Sequence, residues 1–117
     1  MVDEELQQWL EHTENLIAAL LEDGTNESVH HTIEHHFSSV DFATLEKAAV
    51  TAFKIGLEIE EPEEAVLEDG SKVFAFDIIT EQPLELAVIK AETQSMLQLA
   101  RQCQVDYDGW GTYFEEE

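Results

Sequence analysis

The chain has 117 residues, of which 27 are acidic and only 5 are lysine or arginine, so its formal net charge at pH 7 is −22. This length allows one domain with one modest core, and a hydrophobic content of 44% is typical of a folded protein rather than a disordered one. The charge excludes direct binding to nucleic acid or to an anionic membrane, since both need cationic side chains. We therefore expect one acidic domain, residues 1–117 with a short acidic C-terminal end, whose charge either serves solubility or recognises a basic partner.

The remaining composition indicates the compartment. The single cysteine, Cys103, rules out an internal disulfide. No apolar run approaches the roughly 20 residues that span a bilayer, and the N-terminus MVDEELQQ is acidic, unlike a signal peptide. We expect a cytoplasmic protein.

Two amphipathic helices are predicted in the first half of the chain. The first spans Asp3–Glu22 and ends at Gly24, and the second spans Asp41–Ile55 and ends at Gly56. Apolar residues at helical spacing predict the buried stripe of the second helix, which consists of Phe42, Leu45, Ala49, Ala52 and Phe53.

Between these helices lies a histidine-rich segment, Thr25–Ser39, which can be interpreted in two ways. As a helix it would match the zinc-hydrolase pattern H-x-x-E-H at His31, Glu34 and His35, in which two histidines one turn apart bind the metal. Alternating β-branched and aromatic residues favour a strand, on which residues four apart are roughly 13 Å apart, too far to share one ion. We therefore predict a strand without metal or cofactor, and keep a zinc-dependent hydrolase as the alternative.

Glutamates crowd the segment that follows the second helix. Leu57–Glu60 alternates as a strand and is interrupted by Pro62, which indicates an edge strand because proline cannot donate to a β-ladder. Such carboxylates form either a solvated face or a docking site of one charge sign. The candidate contact residues here are Glu58, Glu60, Glu61, Glu63 and Glu64.

The centre of the predicted sheet is the apolar run Lys72–Thr80. Its aromatic and β-branched residues predict a strand that is covered on both faces. The pair Asp69-Gly70 before it is typical of a tight hairpin. A third helix follows at about Leu84–Gln104, with Pro83 in its first turn.

The chain closes with a short predicted strand around Val105–Tyr107 and an aromatic segment. The glycines of this segment argue against a longer strand. Its aromatic side chains either close the core or form a protein-binding patch rimmed with carboxylates. The candidate contact residues here are Tyr107, Asp108, Trp110, Tyr113, Phe114 and Glu115.

In order, the predicted elements are a helix followed by β-α-β-β-α-β. This succession is the ferredoxin-like arrangement, an α+β fold in which two helices cover one face of the sheet, with the N-terminal helix as an addition. The sequence contains no phosphate-binding glycine loop, nucleophile elbow or C-x-x-C pair, so we expect no enzymatic activity.

Four segments carry a family resemblance: Leu20–Gly24, Thr32–His36, Leu45–Val50 and, most specifically, Val105–Glu115, which reads VDYDGWGTYFE. Together they resemble the regulator of ribonuclease E activity B family of gamma-proteobacteria, over essentially the whole chain. The resemblance implies a non-enzymatic inhibitor that binds the C-terminal scaffold of ribonuclease E, the endoribonuclease of the RNA degradosome, and so modulates RNA degradation.

The resemblance also suggests a mechanism, because it implies a largely disordered scaffold with arginine-rich RNA-binding segments. An acidic surface would compete with RNA for those segments, since arginine pairs bidentately with carboxylates. We expect the contacts at the Glu58–Glu68 edge and at Tyr107–Glu117. An acidic adaptor for another basic protein is a further alternative.

Overall fold

The computed structural model describes residues 3–24 and 29–112. Its helices are α1 (Glu4–Glu22), α2 (Phe42–Lys54) and α3 (Leu86–Cys103). Its strands are β1 (His30–Ser39), β2 (Glu58–Ile59), β3 (Glu63–Val66), β4 (Lys72–Pro83) and β5 (Asp106–Thr112). The predicted start of the first strand, and the candidates Tyr113, Phe114 and Glu115, lie outside the described residues.

All strands join one antiparallel sheet in the order β2-β4-β1-β5, with β3 also paired to β4. Because β2 and β3 lie along the same side of β4, they serve together as one interrupted edge strand. The order from β5 to this edge is the ferredoxin-like order, so the predicted α+β fold is confirmed, with α1 as the additional helix. No helix within the described ranges is both long and apolar enough to cross a membrane.

The helices cover a single face of the sheet. α2 and α3 contribute to one core cluster with the inward side chains of β1, β4 and β5, and α1 packs mainly on α3. Burial alternates along β4, where Phe76 and Ile78 are buried while Asp77 and Ile79 are only half-buried. The prediction that this strand is covered on both faces is therefore wrong, because its second face is left open by the helices.

Two helices begin at the aspartates that the sequence places there. The Asp3 carboxylate accepts a hydrogen bond from the Leu6 amide at 3.1 Å, and the Asp41 carboxylate accepts one from the Ala43 amide at 3.1 Å. These bonds satisfy amide groups that the first turn of a helix leaves unpaired. The predicted ends of α1 and α2 therefore agree with the structure to within one residue at each end.

The buried face of α2 is narrower than predicted. Leu45, Ala49 and Ala52 are buried, as expected, whereas Phe42 is 46% and Phe53 is 69% exposed. Both phenylalanines lie at the flank of the stripe, where Phe42 packs edge-on against Phe74 with ring centroids 5.2 Å apart but leaves much of its surface exposed. The prediction that both phenylalanines are buried is wrong.

The β3–β4 hairpin is confirmed at the predicted Asp-Gly pair. The Leu67 amide donates to the Ser71 carbonyl oxygen at 2.8 Å, and Gly70 adopts a φ of 85°. Positive φ is accessible to glycine at little steric cost, which is why this residue type suits the turn.

β5 is longer than predicted and continues through both glycines. Tyr107 pairs with Phe37 and Trp110 pairs with His35, so one extra residue is accommodated opposite His36. This β-bulge contains Gly109 at a φ of 99°. The prediction that the strand ends near Tyr107 is wrong, because the bulge absorbs the first glycine and keeps both aromatic side chains on the helix-covered face.

Candidate protein-binding surface

The interrupted edge strand presents a row of exposed carboxylates. Proline at position 62 separates β2 from β3, as predicted, and both short strands remain paired to β4. Lys72 reaches one of these carboxylates, with its Nζ 3.1 Å from Glu64 Oε1. We call this surface the glutamate edge; its exposed members are Glu58, Glu60, Glu61, Glu63, Glu64 and Glu68.

At the break between β2 and β3 the glutamate edge encloses a cavity of about 160 Å³, which we call the acidic notch. The Glu60 amide donates to the Asp77 carbonyl oxygen at 2.9 Å and so fixes the chain at the break. Five acidic residues line this small cavity, a composition that suits a guanidinium or ammonium group. The lining residues are Glu60, Glu61, Glu63, Glu64, Ala65, Ala75, Phe76 and Asp77.

Negative charge continues onto the open face of the sheet. His36 Nδ1 lies 2.8 Å from Asp77 Oδ1, and Glu34 lies beside this pair. Partial burial, followed by repulsion from Asp77 and Glu60, raises the pKa of the Glu34 carboxyl. Possible ligand atoms of Glu34, His36 and Asp77 lie within 4.8 Å of one another, so in the described part of the chain these three residues are close enough together to hold a metal ion.

The zinc-hydrolase alternative is wrong. Its pattern requires a helix, whereas β1 is a strand over its full length from His30 to Ser39. Alternation along the strand directs His35 into the buried side and Glu34 to the opposite, open side. The three residues of the pattern therefore cannot converge on one ion.

Two of the predicted aromatic contacts are core side chains instead. Tyr107 and Trp110 are each only 4% exposed. The indole Nε1–H of Trp110 donates to Thr13 Oγ1 at 2.9 Å, and the Tyr107 ring packs edge-on against Trp9. These two residues close the core and present no surface to a partner, whereas Asp108 is exposed.

A buried polar network, which the sequence analysis missed, joins β1, α3 and β5. His35 is fully buried, with Nε2 2.7 Å from Glu92 Oε1 and Nδ1 2.9 Å from the Tyr107 hydroxyl. An ionised carboxylate only accepts hydrogen bonds, so Nε2–H of His35 donates to Glu92. The sequence could have indicated that His35 is buried, because it alternates with the apolar residues that face inward on β1.

The network controls the ionisation of its members. Burial alone raises the pKa of the Glu92 carboxyl, but hydrogen bonds from His35 and Thr80 outweigh it and hold that pKa below its usual value of 4.5. Burial raises the pKa of the Tyr107 hydroxyl. Glu92 is therefore ionised and Tyr107 neutral near pH 7, and the network stabilises the fold rather than forming a reactive site.

A second unpredicted feature is a cavity of about 360 Å³ between the outer flank of α2 and the break in the edge strand, which we call the apolar groove. The exposed Phe42 and Phe53 contribute to it. The sequence did contain a signal for this groove, because α2 has apolar residues at more positions than one buried face can hold. The lining residues are Phe42, Glu46, Ala49, Val50, Phe53, Ile59, Glu61 and Pro62.

Comparison with known proteins identifies the family. The family model described as Regulator of ribonuclease activity B matches residues 10–112. A protein of that name from Colwellia psychrerythraea is 74% identical over 116 residues, covering 99% of this chain and 100% of the relative. Those from Salmonella typhi and Pseudoalteromonas translucida are 49% and 46% identical, covering 95% of this chain and 80% and 100% of each relative.

The chain therefore belongs to the Regulator of ribonuclease activity B family, as the resemblance indicated. Membership makes it a regulator of ribonuclease activity and not an enzyme in its own right, in agreement with the sequence-based expectation.

Proposed function

We propose that this family member binds the C-terminal scaffold of ribonuclease E and inhibits its endonucleolytic activity, which reduces RNA degradation in the cytoplasm. The ribonuclease is suggested by the family, and the mode of binding by the glutamate edge. The observation that supports this proposal most is the accumulation of six exposed glutamates along the interrupted edge strand and the hairpin turn that follows it, with one lysine paired among them.

The chemistry of this surface matches an arginine-rich segment. Carboxylates at the glutamate edge can accept bidentate hydrogen bonds from guanidinium groups, as RNA phosphates do. A partner segment that is bound to the glutamate edge could not bind RNA at the same time. Because the net charge is −22, long-range attraction also accelerates the encounter with a basic segment.

Burial and position in the sheet distinguish among the candidate contact residues. Tyr107 and Trp110 are buried, so we do not include them in the proposed contact surface. Asp108 is exposed on β5, at the opposite edge of the sheet from β2 and β3. We therefore assign the main contact to the glutamate edge and the acidic notch, and treat Asp108 as a separate, peripheral candidate.

The test is binding of the full chain to the purified C-terminal scaffold of ribonuclease E, titrated at low and moderate salt. The edge variant replaces Glu60, Glu61, Glu63 and Glu64 by glutamine. We expect saturable binding that weakens with salt, and in the edge variant an association rate constant lower by about tenfold with a flatter salt dependence.

A matched control variant changes the net charge equally but elsewhere. It neutralises four exposed carboxylates of α1 and its C-terminal end: Glu4, Glu11, Glu22 and Asp23. We expect this variant to bind and inhibit nearly as the wild type does. Equal losses in both variants would show that only net charge matters, and no binding at low salt would reject ribonuclease E as the partner.

A further inference from the structure

α2 carries two apolar faces, and the core uses only one. The inward face is formed by Leu45 and three alanines, all buried. On the outer flank Phe42, Val50 and Phe53 are 46%, 44% and 69% exposed. Contiguous exposed apolar patches are uncommon on monomeric proteins and typically mark a binding site.

These outer side chains form one wall of the apolar groove. The opposite wall comes from Ile59 and Pro62, at the end of β2 and in the break before β3. A volume of about 360 Å³ accommodates a large aromatic or aliphatic side chain. Such an anchor in a desolvated pocket is the usual centre of a protein-binding hot spot.

The apolar groove adjoins the acidic notch. Glu61 lines both cavities, and Glu46 adds a second carboxylate to the groove. An extended peptide advances about 3.3 Å per residue, so side chains one to three positions apart can occupy neighbouring cavities. A ligand that fills both therefore combines an apolar side chain with a nearby cation.

The negative charge around the apolar groove and the acidic notch determines which kind of ligand can bind there. A second copy of this chain, itself at −22, would bring like charges together around Glu46 and Glu61. Nucleic acid is repelled for the same reason. A basic peptide segment is complementary in both respects.

We propose that the apolar groove and the acidic notch together bind one segment of a basic protein, with a large apolar side chain in the groove and a neighbouring arginine or lysine in the notch. This inference deepens the proposed function and rests on it where the partner is the ribonuclease scaffold. It adds a requirement that an arginine-rich sequence alone does not meet, namely the apolar anchor.

The experiment uses the full chain and two short synthetic peptides of equal arginine content, one with a central tryptophan and one with serine in its place. We expect the tryptophan peptide to bind about tenfold more tightly, as burial of one large side chain implies. Amide resonances of Ala49, Phe53 and Ile59 should shift with that peptide only.

The Phe53→Ala variant tests the groove directly. Because this side chain is 69% exposed, its removal leaves the core intact. We expect the preference for tryptophan to disappear while binding of the serine peptide is unchanged. Leu86→Ala, which removes another partly exposed apolar side chain outside the groove, should keep the preference.

Equal affinity for the two peptides, or a preference that survives Phe53→Ala, would overturn the groove proposal. So would a dimer in sedimentation that Phe53→Ala dissociates, since a second copy would then be the occupant. Failure of the proposed function looks different: the ribonuclease scaffold would not bind, while the tryptophan preference and its loss in Phe53→Ala would remain.

Discussion

Two regions of the molecule differ in whether their polar and apolar side chains are buried or exposed. At the junction of β1, α3 and β5, the imidazole of His35 and the indole of Trp110 are buried and hydrogen-bonded. Along the glutamate edge and the outer flank of α2, carboxylates and phenylalanines are exposed side by side. The first region satisfies its groups internally, whereas the second leaves them available to a partner.

Among the residues that the structure describes, the most distinctive sequence segment and the candidate binding surface lie in different parts of the molecule. The most specific family resemblance lies in Val105–Glu115, yet most of its described part, Asp106–Thr112, is the bulged strand that closes the core. The glutamates of the edge are individually unremarkable. A conspicuous motif can therefore be a folding requirement rather than a binding site.

The largest expected effect comes from breaking the junction at Gly109. A Cβ there would lie 2.8 Å from the Trp9 ring, and the backbone has a φ of 99°. We expect Gly109→Ala to lower the free energy of unfolding by about 3 kcal/mol or more, from backbone strain plus overpacking. Urea denaturation followed by far-UV circular dichroism measures this.

Gly70→Ala is the control for backbone strain alone. Gly70 also has positive φ, but nothing lies within 4 Å of its Cβ position, so we expect a loss of about 1 to 2 kcal/mol. In a Trp9→Leu background the cost of Gly109→Ala should fall. If the two glycine variants cost the same, the contact with Trp9 is not what requires glycine at 109.

An intermediate effect is expected from Glu92→Gln, which removes the buried charge but keeps the shape. The Glu92 side chain is 9% exposed and accepts from His35. We expect a loss of about 1.5 to 3 kcal/mol near pH 7, the usual range for hydrogen bonds to a charged group. Glu11→Gln, at an exposed α1 position, should change stability by less than about 0.5 kcal/mol.

The pH dependence of Glu92→Gln has a definite sign. Because folding lowers the pKa of Glu92 below 4.5, its stabilisation is present above that pH and is lost as the pH falls through the lowered pKa. The gap between wild type and variant should therefore close in acid. A gap that widens in acid would contradict the described network.

The smallest effect, of opposite sign, is expected at Glu34 on the open face. Burial, then Asp77 and Glu60, raise its pKa, so the ionised carboxylate is unfavourable near pH 7. Glu34→Gln should stabilise the protein by less than about 1 kcal/mol, given its exposure. The gain should vanish below pH 4.5, where Glu34 is protonated in both states. A loss of stability near pH 7 would contradict this.

The sequence predicted the fold through strong local signals. Aspartates at positions 3 and 41 begin helices, Gly70 marks the hairpin, and Pro62 interrupts the edge strand. Each of these depends on the chain within a few residues. The element order then allowed the sheet topology to be predicted, because few arrangements satisfy the connection rules.

Features that depend on packing could not be predicted. Phe53 is 69% exposed because of how α2 as a whole packs on the sheet, and helical periodicity alone does not determine this packing. The close approach of the Trp9 ring to Gly109 involves a residue from a distant helix. The partnership of His35 with Glu92 spans 57 positions, which no local pattern encodes.

The most direct test of the central claim is amide-resonance mapping of the full chain titrated with the purified C-terminal scaffold of ribonuclease E. We expect shifts concentrated at residues 58–68 and on the outer flank of α2, with α1 unaffected. Shifts concentrated on α1 and α3, with residues 58–68 unchanged, would contradict the assignment of the glutamate edge as the binding surface.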